Sequence, residues 1–153
     1  MANIVFNIAK GRIVELYNRV KSNDPANSAI ILVPIETSGL EADSVLIDVD
    51  TLTALVSGAT NEQTTMGRKV LTDADLAALP APDDTNDRYE VSLPTVTWAS
   101  ASGNAISKVA VCYDSDTTGG TDANITPLTM FDFVMTPSGA DIQMTGGVFF
   151  RAS

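Results

Sequence analysis

The sequence predicts a mainly β fold, namely a single antiparallel β-sandwich or jelly-roll-like domain with an N-terminal helix and one or two further short helices. Short apolar runs, several of them alternating with polar residues, dominate after residue 28, and this is the pattern of strands. Turn signals rich in Gly, Pro, Asn and Asp separate the runs at close spacing, as in sandwiches and jelly rolls. The length of 153 residues and the 44% hydrophobic content suit one domain with a sizeable core.

The first 21 residues are predicted to form an arm and a helix, followed by a single β-rich domain over residues 22–153. Pro25 disfavours helical backbone at the residue before it, so the helix should end near residue 21. Two interpretations remain open, since the segment suits either an ordinary helix packed on the core or an arm that docks on another subunit. The arm is Ile4, Val5 and Phe6, and apolar residues at helical spacing then follow at Ile13, Leu16, Tyr17 and Val20.

The stretch from residue 107 to 128 is predicted to hold the central strand of the fold. It opens with the apolar run VAVCY, breaks into the loop DSDTTGGTDAN, and returns towards another apolar segment. A continuous apolar run is what a strand needs when both of its faces are covered. The remaining segments are therefore expected to pack around this strand.

The other elements follow from local patterns. Further strands are predicted over 29–35, 44–49, 66–71, 89–98, 130–135, 142–144 and 148–150, and short helices over 50–55 and 72–79. Pro34 indicates an edge position or the end of its strand, because proline lacks the N–H that a central strand donates. Gly146 and Gly147 are predicted to form the turn of a last hairpin.

The charge of the chain is strongly acidic but unevenly distributed. The formal net charge is −10, yet residues 1–21 contain four basic residues and one acidic residue. The acidic total disfavours nucleic acid as a partner, because phosphate contacts need Lys and Arg. The basic start indicates either a meeting with an acidic partner or an ordinary solvated helix face.

Several function classes find no support in the residue chemistry. The chain has no histidine, which removes the usual general base and most zinc sites. Its single cysteine, Cys112, lies within an apolar run and is expected to be a buried, inert thiol. We therefore expect no enzyme and no cofactor. No apolar run approaches the roughly 20 residues of a membrane span, and the N-terminal pattern is unlike a signal peptide.

The acidic loop holds the best candidate for hidden chemistry. Asp114, Asp116, Asp122 and Asn124 supply hard oxygen atoms in a glycine-containing loop, which are the ligands that calcium prefers. The spacing is not that of an EF-hand, and side-chain turns at the end of a strand explain the same residues. The sequence therefore offers these residues as a weak metal site and, more simply, as turn formers.

Three segments carry a family resemblance. They are NIAKGRIVELYNRVKSNDPANSAIIL at 7–32, RKVLTDADLAALPAPDDTNDRYEV at 68–91 and CYDSDTTGGTDANITPLTMFDF at 112–133. Together they resemble small proteins encoded among the head genes of tailed bacteriophages, which are regarded as virion components of the decoration or cement type. The resemblance covers most of the chain and carries no catalytic signature.

The resemblance implies a structural protein on the outside of a bacteriophage capsid, made in the host bacterial cytoplasm. The implied partners are the major capsid protein and other copies of the chain, with a trimer as one possibility, and neither nucleic acid nor membrane. Alternatives that stay open are a head-fibre or tail component, a host-surface-binding module and, least favoured, an enzyme. The expected partner-binding residues lie near the chain ends and are Ile4, Val5, Phe6, Arg12, Arg19, Lys21, Phe149 and Phe150.

Overall fold

A computed structural model describes residues 4–153 and confirms the mainly β fold class, with 35% of residues in strands and 18% in helices. All strand pairs in this part of the chain are antiparallel. The helices are α1 (Ile13–Lys21), α2 (Asp43–Leu46), α3 (Leu52–Leu55) and α4 (Asp73–Leu76), with 3₁₀ turns at Asn7–Ala9 and Asp122–Asn124. The strands are β1 (Ile4–Val5), β2 (Ala29–Glu36), β3 (Lys69–Leu71), β4 (Tyr89–Leu93), β5 (Val96–Trp98), β6 (Ile106–Asp114), β7 (Thr126–Met135), β8 (Ile142–Met144) and β9 (Gly147–Ala152).

A five-stranded sheet in the order β1-β7-β6-β2-β3 forms the centre of the domain. Its middle strand, β6, is buried along all nine residues, as the apolar run predicted. Its neighbour β2 is buried in seven of eight positions. Because both strands are covered on both faces, they show a continuous apolar pattern in place of alternation.

Different segments cover the two faces of this sheet. Paired residues of neighbouring strands share a face, and one face carries Val109 with its partner Phe131. That face lies under α1 and the strands β4, β5, β8 and β9, where the Trp98 ring packs 6.2 Å from Phe133. The other face carries Lys108, which reaches Asp43 of α2. The central sheet is thus the middle of a layered core.

The strands β4 and β5 pair with β9 and β8, respectively, as two short two-stranded sheets. The predicted hairpin at Gly146–Gly147 is therefore wrong, because β8 and β9 pair with other strands and not with each other. A Cβ atom on Gly146 would lie 2.6 Å from the Leu93 carbonyl oxygen and 2.7 Å from the Pro94 carbonyl carbon. Gly146 is thus required where two segments cross closely, not where the chain reverses.

Two further predictions of local structure are corrected. Pro34 lies within β2, a strand with neighbours on both sides, and not at a sheet edge. The Pro34 carbonyl accepts from the N–H of Gln63, so its missing donor falls on the side where β3 has ended and only an isolated bridge continues. Residues 44–46 belong to helix α2, and no strand is found over 44–49.

Both predicted short helices are present and are capped by threonine side chains. The hydroxyl of Thr51 accepts from the N–H of Ala54 at 3.1 Å, so Thr51 caps α3. A capping box between Thr72 and Asp75 starts α4. Such caps satisfy backbone donors that a helix start leaves unpaired.

The N-terminal segment belongs to the same core as the rest of the chain. One cluster of buried residues includes Phe6 and Leu16 together with Leu32 and Leu128. Strand β1 pairs with β7, and the Tyr17 hydroxyl of α1 donates to the Ser92 carbonyl at 2.9 Å. Residues 4–153 therefore form one domain, with no packing boundary at residue 21.

Candidate functional site

The acidic loop after β6 is organised by hydrogen bonds within the loop. The backbone N–H of Asp116 donates to the Asp114 carboxylate at 3.0 Å. The Thr118 hydroxyl and backbone N–H donate to Asp116 at 2.6 and 3.0 Å and hold the pKa of Asp116 below its usual value. These are the side-chain turns that the spacing allowed.

Asp122 forms an ion pair with Arg68, a residue that the sequence had not indicated as part of a site. Arg68 donates to both oxygens of Asp122 at 2.7 and 2.8 Å and to both oxygens of Glu62 at 2.7 and 2.6 Å. Hydrogen bonding from Arg68 lowers the pKa of Asp122. This double fork joins the acidic loop to the segment before β3.

Three of the four weak candidates for metal ligands bond instead to other groups of the chain. Asp122 faces Arg68, Asp114 and Asp116 bond within their own loop, and Asn124 is exposed. Across residues 4–153, no group of three or more His, Cys, Asp and Glu side chains is arranged to hold a metal ion. None of the helices in the described part of the chain is both long and apolar enough to span a lipid bilayer.

The arm residues are placed in the core, which corrects the expectation that they are apolar anchors for a partner. Phe6 is fully buried, and Ile4 is 8% exposed and pairs with Met130 of β7. Val5 is partly exposed. Ile4 and Phe6 therefore offer no side-chain surface to a neighbouring subunit, and the core-packed interpretation of this segment holds for them.

The basic residues of the N-terminal segment divide into engaged and open ones. Arg19 binds Glu15 at 3.0 Å on the exposed side of α1, and Lys21 donates to the carbonyls of Leu79 and Pro80. Lys10 and Arg12 are exposed, and no ion-pair or hydrogen-bond partner for either side chain is found within residues 4–153. We call residues 10–12 the cationic turn, in which Gly11 adopts φ +81°.

The C-terminal strand β9 borders an apolar cleft. The Phe149 ring packs 6.1 Å from Tyr17, and Phe150 is half-buried opposite Val91. The cleft has a volume of about 220 Å³ and is lined by Leu93, Phe131, Asp132, Met144, Thr145, Gly147, Val148 and Phe149. Small-molecule pockets usually measure roughly 300–1,000 Å³, so this cleft is smaller than a typical one.

A buried lysine lies on the other face of the central sheet. Lys108 is fully buried, and its Nζ lies 3.1 Å from Asp43 and 3.0 Å from Asp132. The sequence indicated this ion pair only by a lysine within an otherwise apolar strand. A lysine in such a strand needs a partner, because lysine is almost never fully buried without one. By contrast, no sequence signal distinguishes Val148 or Met144 as cleft residues, since exposure depends on which strands pair.

Cys112 is fully buried on β6, as predicted, and burial raises the pKa of its thiol. It is therefore unsuited to nucleophilic chemistry. Comparisons of the chain with protein-family models, with curated proteins and with solved structures found no match.

Proposed function

We propose that the chain is a structural subunit of a tailed-bacteriophage particle that binds the outside of the assembled head, as a decoration or cement protein. Its main partner is then the major capsid protein, and its location the capsid surface. The resemblance of three long segments to phage head proteins motivates this proposal.

The cationic turn is the observation that carries the proposal within the structure. Lys10 and Arg12 are exposed cations on either side of Gly11, and no acidic side chain of residues 4–153 forms an ion pair with either. They belong to a chain whose formal net charge is −10. Such an open positive site on an acidic protein is suited to an acidic partner surface, where charge complementarity aids orientation and encounter.

The completeness of the domain supports binding to a preassembled particle. Both faces of the central sheet are covered, and Phe6 and Tyr17 close the N-terminal side of the core. A chain with a satisfied core can bind as a rigid body without refolding on its partner. This fits a protein that is added to heads that have already formed.

The test is decoration of isolated heads that lack the chain, with purified protein and matched charge variants. The first variant combines Lys10→Gln with Arg12→Gln. Its control combines Ser44→Asp with Thr53→Asp, which changes the net charge equally at two exposed helix positions. We expect reduced occupancy for the first variant alone, most clearly at low salt, because salt screens exposed charges.

Three results bear on the proposal. Absence of wild-type binding to heads contradicts the function, and binding to tails or to host cells instead favours the alternative of a tail-associated or host-surface-binding module. Equal occupancy for both variants contradicts the role of the cationic turn while leaving head binding in place.

A further inference from the structure

Lys108 is fully buried and lies against two carboxylates with which its amine can react. Its Nζ is 3.0 Å from Oδ1 of Asp132 and 3.1 Å from Oδ1 of Asp43. The Cγ atom of Asp132 is bonded directly to the first of these oxygens. A nitrogen nucleophile and a carboxyl carbon therefore lie close to the near-attack range, in which reacting atoms are about 3–3.5 Å apart.

The central sheet holds Lys108 and Asp132 in fixed positions. The two residues lie directly opposite each other on β6 and β7. On the other side of Lys108, Ile35 of β2 is its register partner and is fully buried as well. Effective molarities of well-oriented intramolecular groups reach about 10⁵–10⁸ M, which is enough to drive the condensation of an amine with a carboxyl group in the presence of water.

The side chains around this pair are apolar. Ala110 and its register partner Met130 share the sheet face of Lys108 and are fully buried. Burial disfavours the charged forms of amines and carboxyl groups. It thereby favours the neutral amine and the carboxylic acid, which are the forms that condense. An ammonium ion and a carboxylate reach these forms through one proton transfer within the pair.

Asp43 supplies the second carboxylate that such a reaction needs. It begins α2, and its Oδ2 accepts a hydrogen bond from Nζ of Lys108 at 3.5 Å. When Asp132 has taken the first proton from Nζ, Asp43 remains ionised and can accept a proton from the attacking nitrogen. A positioned group that transfers protons in this way typically accelerates a reaction by about 10²–10⁴-fold.

We propose that Lys108 and Asp132 form an amide cross-link between β6 and β7, with Asp43 as the group that transfers the proton. The Lys108 ammonium first gives a proton to the Asp132 carboxylate. The Nζ lone pair then attacks Cγ of Asp132 while Asp43 takes a proton from the nitrogen. The bond from Cγ to the hydroxyl oxygen breaks, and Asp43 returns its proton to the leaving hydroxide, which departs as water.

The reaction uses only groups of the chain and leaves a neutral amide beside the Asp43 carboxylate. The ion pair between Lys108 and Asp132 is the state before condensation. The cross-link does not depend on whether the chain binds a capsid, since all three side chains belong to one domain.

The test is the mass of the purified full-length chain after unfolding in denaturant. Wild type should be lighter than its sequence by the mass of one water molecule. Chemical cleavage after methionine then locates the bond, because Met66, Met130 and Met135 define the fragments 67–130 and 131–135. These two fragments should stay joined. Trypsin should also fail to cleave after Lys108, whose amine is acylated in the cross-link.

Variants separate the roles of the two carboxylates. Asp132→Ala should have the full mass of its sequence. Its control is Asp84→Ala, which changes an exposed aspartate of a surface loop and should show the same water loss as wild type. In Asp43→Asn, the cross-linked fraction should rise about 10²-fold more slowly after synthesis, because the proton-transfer group is lost.

The wild-type measurements decide the proposal even if a variant fails to fold. A wild-type chain with the full mass of its sequence overturns the proposal. Water loss that leaves 131–135 as a separate fragment also overturns it, as does water loss that persists in Asp132→Ala. A link between fragment 67–130 and the fragment that ends at Met66 would place the bond at Asp43 and contradict the assigned roles.

Discussion

Lys108 shows how a single buried charge can couple two layers of the fold. It lies on the central strand with a fully buried side chain, between Asp43 of α2 and Asp132 of β7. A buried ion pair is weak evidence for net stabilisation, but removing one partner is costly because the other charges lose their compensation. The lysine therefore has a structural role that its sequence position within an apolar run only hinted at.

Replacing this lysine should destabilise the fold strongly. We expect Lys108→Met to lower the free energy of unfolding by about 3 kcal/mol or more, because two carboxylates then lie near each other without the ammonium group. Urea denaturation provides the measurement. Lys10→Met, at an exposed site, is the control and should stay within about 0.5 kcal/mol of wild type. Equal stability of the two variants would contradict the structural role.

The fork between Arg68 and Asp122 should give the fold a specific acid sensitivity. Arg68 lowers the pKa of Asp122 in the folded state, so this contribution to stability is present above the unfolded-state pKa of about 3.9 and is lost as pH falls through the lowered value. Asp122→Asn should therefore be less stable than wild type at pH 7, and the difference should shrink as the pH falls towards 3. Denaturant titrations at both pH values measure it.

The control for this pH dependence is Asp84→Asn, which changes an exposed carboxylate in a surface loop. Its stability should follow that of wild type at both pH values. A difference between Asp122→Asn and wild type that stays constant from pH 7 to pH 3 would show that the ion pair does not stabilise the fold.

At the scale of elements, the crossing of the two short sheets depends on one glycine. A Cβ on Gly146 would approach the Leu93 carbonyl to 2.6 Å, whereas a Cβ on Gly147 meets nothing within 4 Å. Gly146→Ala should cost about 1–3 kcal/mol of stability through overpacking, and Gly147→Ala should change it by about 0.5 kcal/mol or less. Thermal or urea unfolding of the two variants measures the difference. Equal losses of stability in Gly146→Ala and Gly147→Ala would contradict the close crossing.

The arm, Ile4 to Phe6, is part of the core, so substitutions of its buried residues should destabilise the fold. Phe6 is fully buried, so Phe6→Ala should lower the free energy of unfolding by about 3–5 kcal/mol. Val5→Ala should lower it less, because Val5 is partly exposed. Urea denaturation compares the two. If Phe6→Ala unfolded at the wild-type midpoint, the arm would not be part of the core in solution.

Elements defined by local chemistry were predictable, and those defined by pairing were not. The apolar run of β6 and the capped turn of α4 follow from residues close in sequence, and both are found where predicted. The partner of β9 depends on residues more than 50 positions away, so a glycine pair was mistaken for a hairpin turn. The prediction of an edge position for Pro34 failed for the same reason, because β2 can hold a proline at this position only where β3 has ended.

For the whole molecule, composition predicted the class of fold but not its functional surface. Many short apolar runs and few charges indicate a β-rich domain, and the core confirms this. The exposure of the candidate site residues, by contrast, did not follow from composition. Ile4 and Phe6 are buried, whereas Arg12 and Arg19 are exposed, because an apolar residue near a chain end can be buried by any strand that it meets. Exposed basic residues without an ion pair, such as those of the cationic turn, can be identified only once the ion pairs of the other basic residues are known.

The most direct test of the proposed function is to count the chain on intact phage particles purified from infected cells. Mass spectrometry with labelled reference peptides measures the ratio of the chain to the major capsid protein. Surface labelling of intact heads shows whether the chain lies on the outside or the inside of the capsid shell. We expect a fixed ratio that is the same in independent preparations, with the chain labelled on the outside of the head. A chain that is absent from particles, or present only inside the head or in the tail, would contradict it.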